Sequence, residues 1–289
     1  MAAPQYPTRP DVPAEGRGSV SEAAGARQGS NFWVSSFALD GRVAGALLPT
    51  LTIALSLVIW EYAEIYFQIP SYLVPRPSEF LVRFYTDFPD IWRNALATGE
   101  VIVWAFLIGG VVGIALAYLI VTFQSLERGA YQLIVFLQII PKTITAPLFV
   151  TWFGVGIMPK LALTTFITFF PVLVDSIAGF HSIDVRLYYL SQSMGATRWQ
   201  TFIRLQLPAA MPHIFSGLKI ATVYAVTAVI VIEFVGSSEG LGFMIVQALG
   251  MMDMSLMFAA ILATAFMGLF FSLAVSSLER LIMPWLKYR

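Results

Sequence analysis

Of the charged side chains that fall within long apolar runs of the chain, four are candidates for chemistry: Lys142, Asp175, Lys219 and Glu233. An ionised group in such surroundings is costly, so each carries a functional reading by default: a solute contact, a proton carrier or one half of an internal pair. Lys142 follows Pro141 at a predicted helix break, where it offers a cation to an anion or pairs with Asp175 or Glu233; pairing is preferred. Asp175 stands one turn beyond Pro171 and is placed to cap backbone freed by a proline kink. Glu233 ends an apolar run just before the glycine-rich GSSEGLG, where a gate and a solvated interfacial carboxylate are equally open readings. Lys219 lies near the end of its run and is expected to snorkel.

Other chemistries lack their residues. The chain has no cysteine and two histidines, which excludes thiolate metal sites and leaves little for any metal centre. Lys142-Thr143 lacks the upstream glycines whose backbone donors cradle a nucleotide phosphate, so the chain has no phosphate loop of its own. An intramembrane protease needs a serine facing a base within the bilayer, yet His181 and His213 both fall at the edges of apolar runs.

The elements that must hold these charges are membrane helices. Hydrophobic residues make up 58% of the chain and charged residues 12%, and the mean hydropathy is +0.77, far from the soluble norm of about one quarter charged. Seventeen basic and seventeen acidic residues cancel, leaving no basic field for nucleic acid. The predicted fold class is all-α and polytopic. Six runs meet the requirement of about 20 residues per crossing: 43–67, 95–122, 131–153, 160–180, 213–235 and 257–282. Pro141 and Pro147 interrupt the third, which stays open to being two pieces.

Six crossings place both termini on one side. With the amino terminus inside, eleven Lys or Arg residues fall in inner segments, among them Arg42, Arg128, Arg186, Arg198, Arg204 and Arg280. Four, Arg76, Arg83, Arg93 and Lys160, fall outside, so the positive-inside rule favours cytoplasmic termini. Residues 1–41, rich in Gly, Ala, Ser and Pro, read as a disordered cytoplasmic tail rather than a secretory signal, and 42–289 as the membrane domain. The outer segment 68–94 mixes prolines with aromatic residues and reads as a structured interfacial cap. The segment after Glu233 reads as a re-entrant or interfacial half-helix.

Between the fourth and fifth runs lies a polar island, His181 to His213. Leu187, Leu190 and Met194 share one helical face; Trp199, Phe202, Ile203 and Leu207 share another. Two short amphipathic helices are predicted, with Gly195 taking a positive φ between them, Thr197 capping the second and Pro208 stopping it.

The order Gly195, nine residues, then Leu205-Gln206-Leu207-Pro208 resembles the cytoplasmic signature of bacterial ABC importer permeases, the binding-protein-dependent inner-membrane component. PKTITAPLFVTWFGVG (141–156), FFPVLVDSIAGF (169–180) and EFVGSSEGLGFMI (233–245) look like the subgroup for nitrate, sulfonates, taurine, riboflavin and pyrimidine precursors. Tyr189, Leu190 and Ser191 stand where that family has its Glu-Ala-Ala triplet. The resemblance implies a non-catalytic permease subunit of the bacterial inner membrane. Two copies would enclose one pathway, and a periplasmic or lipid-anchored binding protein would deliver a small solute. ATP and Mg would be bound by partner ATPase subunits and none by this chain.

It also implies that residues 181–213 form coupling helices, with Tyr189, Leu190, Ser191, Met194, Gly195, Ala196, Thr197, Arg198, Leu207 and Pro208 as the ATPase-facing set. Lys142, Trp152, Phe170, Asp175 and Glu233 are the candidate pathway or gate residues, although packing is the safer reading of Trp152 and Phe170 in a chain that is 14% aromatic. The reading from a different class is an ion-coupled secondary transporter using Glu233 and Asp175 as proton carriers.

Overall fold

The computed structural model describes residues 41–284; the predicted tail lies outside them except for its last residue, Gly41, which opens the first helix. The described chain is helical: α1 (Gly41–Phe67), α2 (Pro77–Thr86), α3 (Phe88–Thr122), α4 (Gln124–Ile139), α5 (Ala146–Phe153), α6 (Ile157–His181), α7 (Val185–Ser193), α8 (Arg198–Thr201), α9 (Leu207–Gly236), α10 (Leu241–Gly250) and α11 (Met254–Ile282). Helices are the expected solution in lipid, because only they and closed barrels satisfy every backbone group internally.

Five of the six predicted runs are helices long and apolar enough to cross a membrane. The third is not. It is divided into α4, a 3-10 turn at Lys142–Thr145 and α5. Pro141 drives the preceding Ile140 into extended backbone, at φ −62° and ψ 124°. Pro147 sits in the first turn of α5, where no backbone donor is required.

The body from Trp60 onward is built around α3, α6 and α9. Close approach of α3 and α6 depends on small residues: a Cβ on Gly109 would lie 2.6 Å from Thr168 Oγ1, and one on Gly113 would lie 3.2 Å from Phe169 O. At the α6–α9 crossing a Cβ on Gly217 would lie 2.9 Å from that of Asp175. Asp175 is half-buried there, and its carboxylate has no hydrogen-bond or ion-pair partner among the described residues, so it does not cap freed backbone as predicted. Lys219 does not simply snorkel either; it pairs with Glu279 of α11.

α2 forms a structured cap, as the proline and aromatic content of the segment predicts. Pro77 opens it, and Arg83 ties it to α11 through Asp253 at 3.0 Å. Arg76, just ahead of α2, hydrogen-bonds Glu64, and that carboxylate raises the guanidinium's pKa above its ordinary value.

Candidate functional site

Two polar constellations lie at opposite ends of α9, a helix about 45 Å long at 1.5 Å per residue. The first is the α7–α8 pair. Asp184 caps α7 by accepting the Arg186 N–H at 2.8 Å. The helix ends in a Schellman motif: Ala196 N–H donates to Ser191 O at 3.1 Å and Gly195 N–H to Gln192 O at 2.9 Å, with Gly195 at φ 81°. Thr197 then opens α8 with a reciprocal capping box. Gln200 N–H donates to Thr197 Oγ1 at 3.2 Å, and Thr197 N–H donates to Gln200 Oε1 at 2.9 Å.

The angle between the two helices is pinned by a side-chain bond, Ser191 Oγ to Thr201 Oγ1 at 3.1 Å. Ser191 occupies the third position of the triplet that departs from the Glu-Ala-Ala pattern, and here the departure has a local use. Pro208 plays a different part from the one predicted. It does not stop the helix; it lies in the first turn of α9, after a π-helical stretch at Phe202–Gln206. In an unbroken α-helix its ring would strike the carbonyl four residues back. The π turn relieves this by re-routing Leu207 N–H to Phe202 O.

The predicted apolar faces divide accordingly. Phe202 turns inward against Tyr118, with ring centroids 4.1 Å apart, and against Phe180 at 6.1 Å. Leu207 is half-buried beside it. Leu187, Leu190, Met194, Trp199 and Ile203 face outward, Met194 at 79% exposure, together with Tyr189, Arg198 and Arg204. No residue of α7 is buried.

The second constellation surrounds Glu233. The side chain is 1% exposed, which excludes the solvated interfacial reading. It accepts hydrogen bonds from Thr98 Oγ1 at 3.0 Å and from Gly242 N–H at 2.8 Å. Thr98 Oγ1 in turn accepts Leu241 N–H at 2.8 Å, and Asn94 Oδ1 accepts Gly240 N–H at 2.8 Å. The first donors of α10, which have no partner within the helix, are thereby met by α3 and α9. A carboxylate at a helix N-terminus is also favoured by the helix dipole. Lys160, 2% exposed at the start of α6, lies 3.9 Å from Glu239 Oε1. The whole forms a clasp that folds the α9–α10 reversal back onto α3.

The remaining candidates are not gathered with Glu233. Phe170 is 2% exposed inside the α3–α6 core, stacked edge-on with Phe166, so it packs rather than lines a path. Trp152 is 65% exposed on α5. The side chain of Lys142 lies outside the described residues. Sequence reasoning missed Asn94, Thr98 and the role of Lys160. The available signal was the i, i+4 pairing of Asn94 and Thr98 on one face at the start of an apolar run. Among the described residues no cluster of three or more His, Asp or Glu could hold a metal.

Residues 109–288, which include both constellations apart from Asn94 and Thr98, match the binding-protein-dependent transport system inner membrane component family. The chain belongs to that family. The permease is 35% identical over 250 residues to a formylaminopyrimidine transport permease protein of Halalkalibacterium halodurans, covering 84% of this chain and 97% of that one. It is 30% identical to a riboflavin transport system permease protein of Chloroflexus aurantiacus, over 83% of this chain and 90% of that one. It is 28% identical to the taurine transport system permease protein of Escherichia coli, over 81% and 90%. Among solved structures, a chain of a bacterial alginate ABC transporter in complex with an alginate pentasaccharide-bound periplasmic protein shares the fold, with a TM-score of 0.57 at 21% identity and coverage of 87% of this chain and 98% of that one.

The permease is therefore a non-catalytic, multi-pass inner-membrane subunit of an ATP-driven importer. It works with a separate ATPase and a solute-binding protein.

Proposed function

We propose that residues 181–213 are the coupling element through which ATPase closure reaches the membrane helices. One observation carries this reading: α7 and α8 are fixed at their joint by a Schellman motif, a capping box and the Ser191–Thr201 bond, yet their outer apolar surface is uncovered. A rigid pair with an open apolar face suits helix-in-groove recognition, with Leu190, Met194 and Trp199 as anchors and Arg198 and Arg204 at the rim. Phe202, wedged between Tyr118 and Phe180, links the pair to the ends of α3 and α6. The continuous course from α8 through the π turn into α9 carries displacement towards the clasp at Glu233.

On this reading α7–α8 and both termini are cytoplasmic, in keeping with the Lys and Arg distribution, and two copies enclose the pathway. ATP and Mg belong to the ATPase partners. Solute identity is set chiefly by the binding protein. Glu233 is assigned to holding the outer reversal, where Thr98 Oγ1 and the N–H of Gly242 hydrogen-bond its carboxylate.

The chain has no native cysteine, so single cysteines can be placed without background. Met194→Cys and Trp199→Cys are expected to cross-link to the ATPase subunit in membranes of cells expressing the whole transporter, and Tyr85→Cys, exposed on α2, is expected not to. Cross-links from Tyr85→Cys, or none from either loop position, would overturn the assignment.

A further inference from the structure

On the flank of the helical body, α3 and α11 enclose a groove of about 830 Å³ whose wall is almost wholly apolar. Phe88, Trp92 and Trp104 of α3 and Phe266 and Phe270 of α11 line it, and Phe88 and Trp92 are stacked with centroids 6.1 Å apart. One ionisable side chain joins them, Glu100. It stands two turns from Trp92 and one turn from Trp104 along α3, so all three share a face. Among the described residues the exposed Glu100 has no ion pair and no hydrogen bond, unlike Glu233 of α9, which is met by Thr98 two residues before Glu100 on α3. The floor of the groove is Gly99, where an added Cβ would meet nothing within 4 Å.

A carboxylate in a groove of aromatic and aliphatic groups is expensive unless a cation accompanies it. The aromatic side chains that line the same groove add attraction for an ammonium and none for an anion. The groove opens sideways from membrane-spanning helices whose neighbouring surface, Leu269, Phe270 and Leu273, is exposed and apolar. An occupant arriving there comes through the bilayer. We propose that this groove is a binding site for a phospholipid with an ammonium headgroup, the ammonium meeting Glu100 one turn from Trp104 and the acyl chain lying along α11. The proposal is independent of the role of residues 181–213.

The test is native mass spectrometry of the full transporter released from nanodiscs of equimolar phosphatidylethanolamine and phosphatidylglycerol. The wild type is expected to retain phosphatidylethanolamine roughly fivefold over phosphatidylglycerol, as one charge-assisted contact of about 1 kcal/mol provides. Glu100→Gln keeps the shape and should bring the ratio to about one. Gly99→Leu fills the open floor, favours the helix and should remove the retained lipid while leaving ATP hydrolysis intact. Asp90→Asn, a charge loss at an exposed position of the same helix, should leave the preference unchanged. Equal retention of both lipids by the wild type would overturn the proposal. So would an unchanged preference in Glu100→Gln, or a copy-to-copy cross-link at Val103→Cys in place of bound lipid.

Discussion

Gly240→Val is expected to abolish uptake and to remove most of the folded permease from the membrane. Gly240 has φ 111°, a region that a β-branched residue avoids. Its Cβ would also be driven into the Glu233 carboxylate. The carboxylate cannot yield without loss, because Thr98 Oγ1 and the Gly242 N–H hold it, and the Gly242 backbone packs so closely on this side chain that a Cβ there would lie 2.7 Å from Glu233 Cβ. Displacing Glu233 breaks its bonds to Thr98 and Gly242 and leaves buried polar groups without partners, at a cost of about 1–3 kcal/mol for each. That is a large fraction of the stability of most folded domains. Monodisperse protein recovered from detergent extracts is the measurement. Wild-type recovery with wild-type uptake would show that the clasp is dispensable. Glu233→Gln, which keeps the shape and loses only the charge, should fall between the two.

Gly195→Val is expected to act differently, leaving the protein in the membrane and disconnecting it from ATP. No heavy atom lies within 4 Å of an added Cβ at Gly195, so nothing collides. The whole penalty is the positive φ of 81°, about 1–2 kcal/mol and more for a β-branched residue. The chain relieves it by abandoning the Schellman turn, and the Ser191–Thr201 bond is lost with it. The anchors on α7 and α8 then no longer present one surface. Uptake and solute-stimulated ATP hydrolysis should fall more than tenfold while membrane content is unchanged. Gly195→Asn is the informative control, because asparagine tolerates the left-handed region and should retain most activity. Equal loss in the asparagine and valine variants would show that the backbone conformation at Gly195 is not what matters.

What the sequence disclosed follows from how local each interaction is. The turn at Gly195 and the cap at Thr197 are settled by a few neighbouring residues, so both could be read from composition and spacing. The broken third run was legible as a possibility because Pro141 and Pro147 act on adjacent backbone. Pro208 misled, since proline ends most helices and the π turn that accommodates it has no signature in residue type. Glu233 was noticed as costly, but its partner Thr98 lies 135 residues earlier in the chain. Only the packing of α3 against α9 and α10 brings them together. Phe170 and Trp152 were equally plausible as path residues from their types, and the fold alone placed one in the core and the other on the surface.

The central claim is that this chain moves solute only when a separate ATPase closes on its α7–α8 surface. The most direct test is solute uptake into proteoliposomes containing the purified permease, with its binding protein supplied outside, in the presence or absence of the ATPase subunits. The account predicts uptake only with ATPase and ATP together, and none from the permease alone under an imposed proton or sodium gradient. Gradient-driven uptake by the permease without the ATPase would contradict it and return Glu233 and Asp175 to the role of ion carriers.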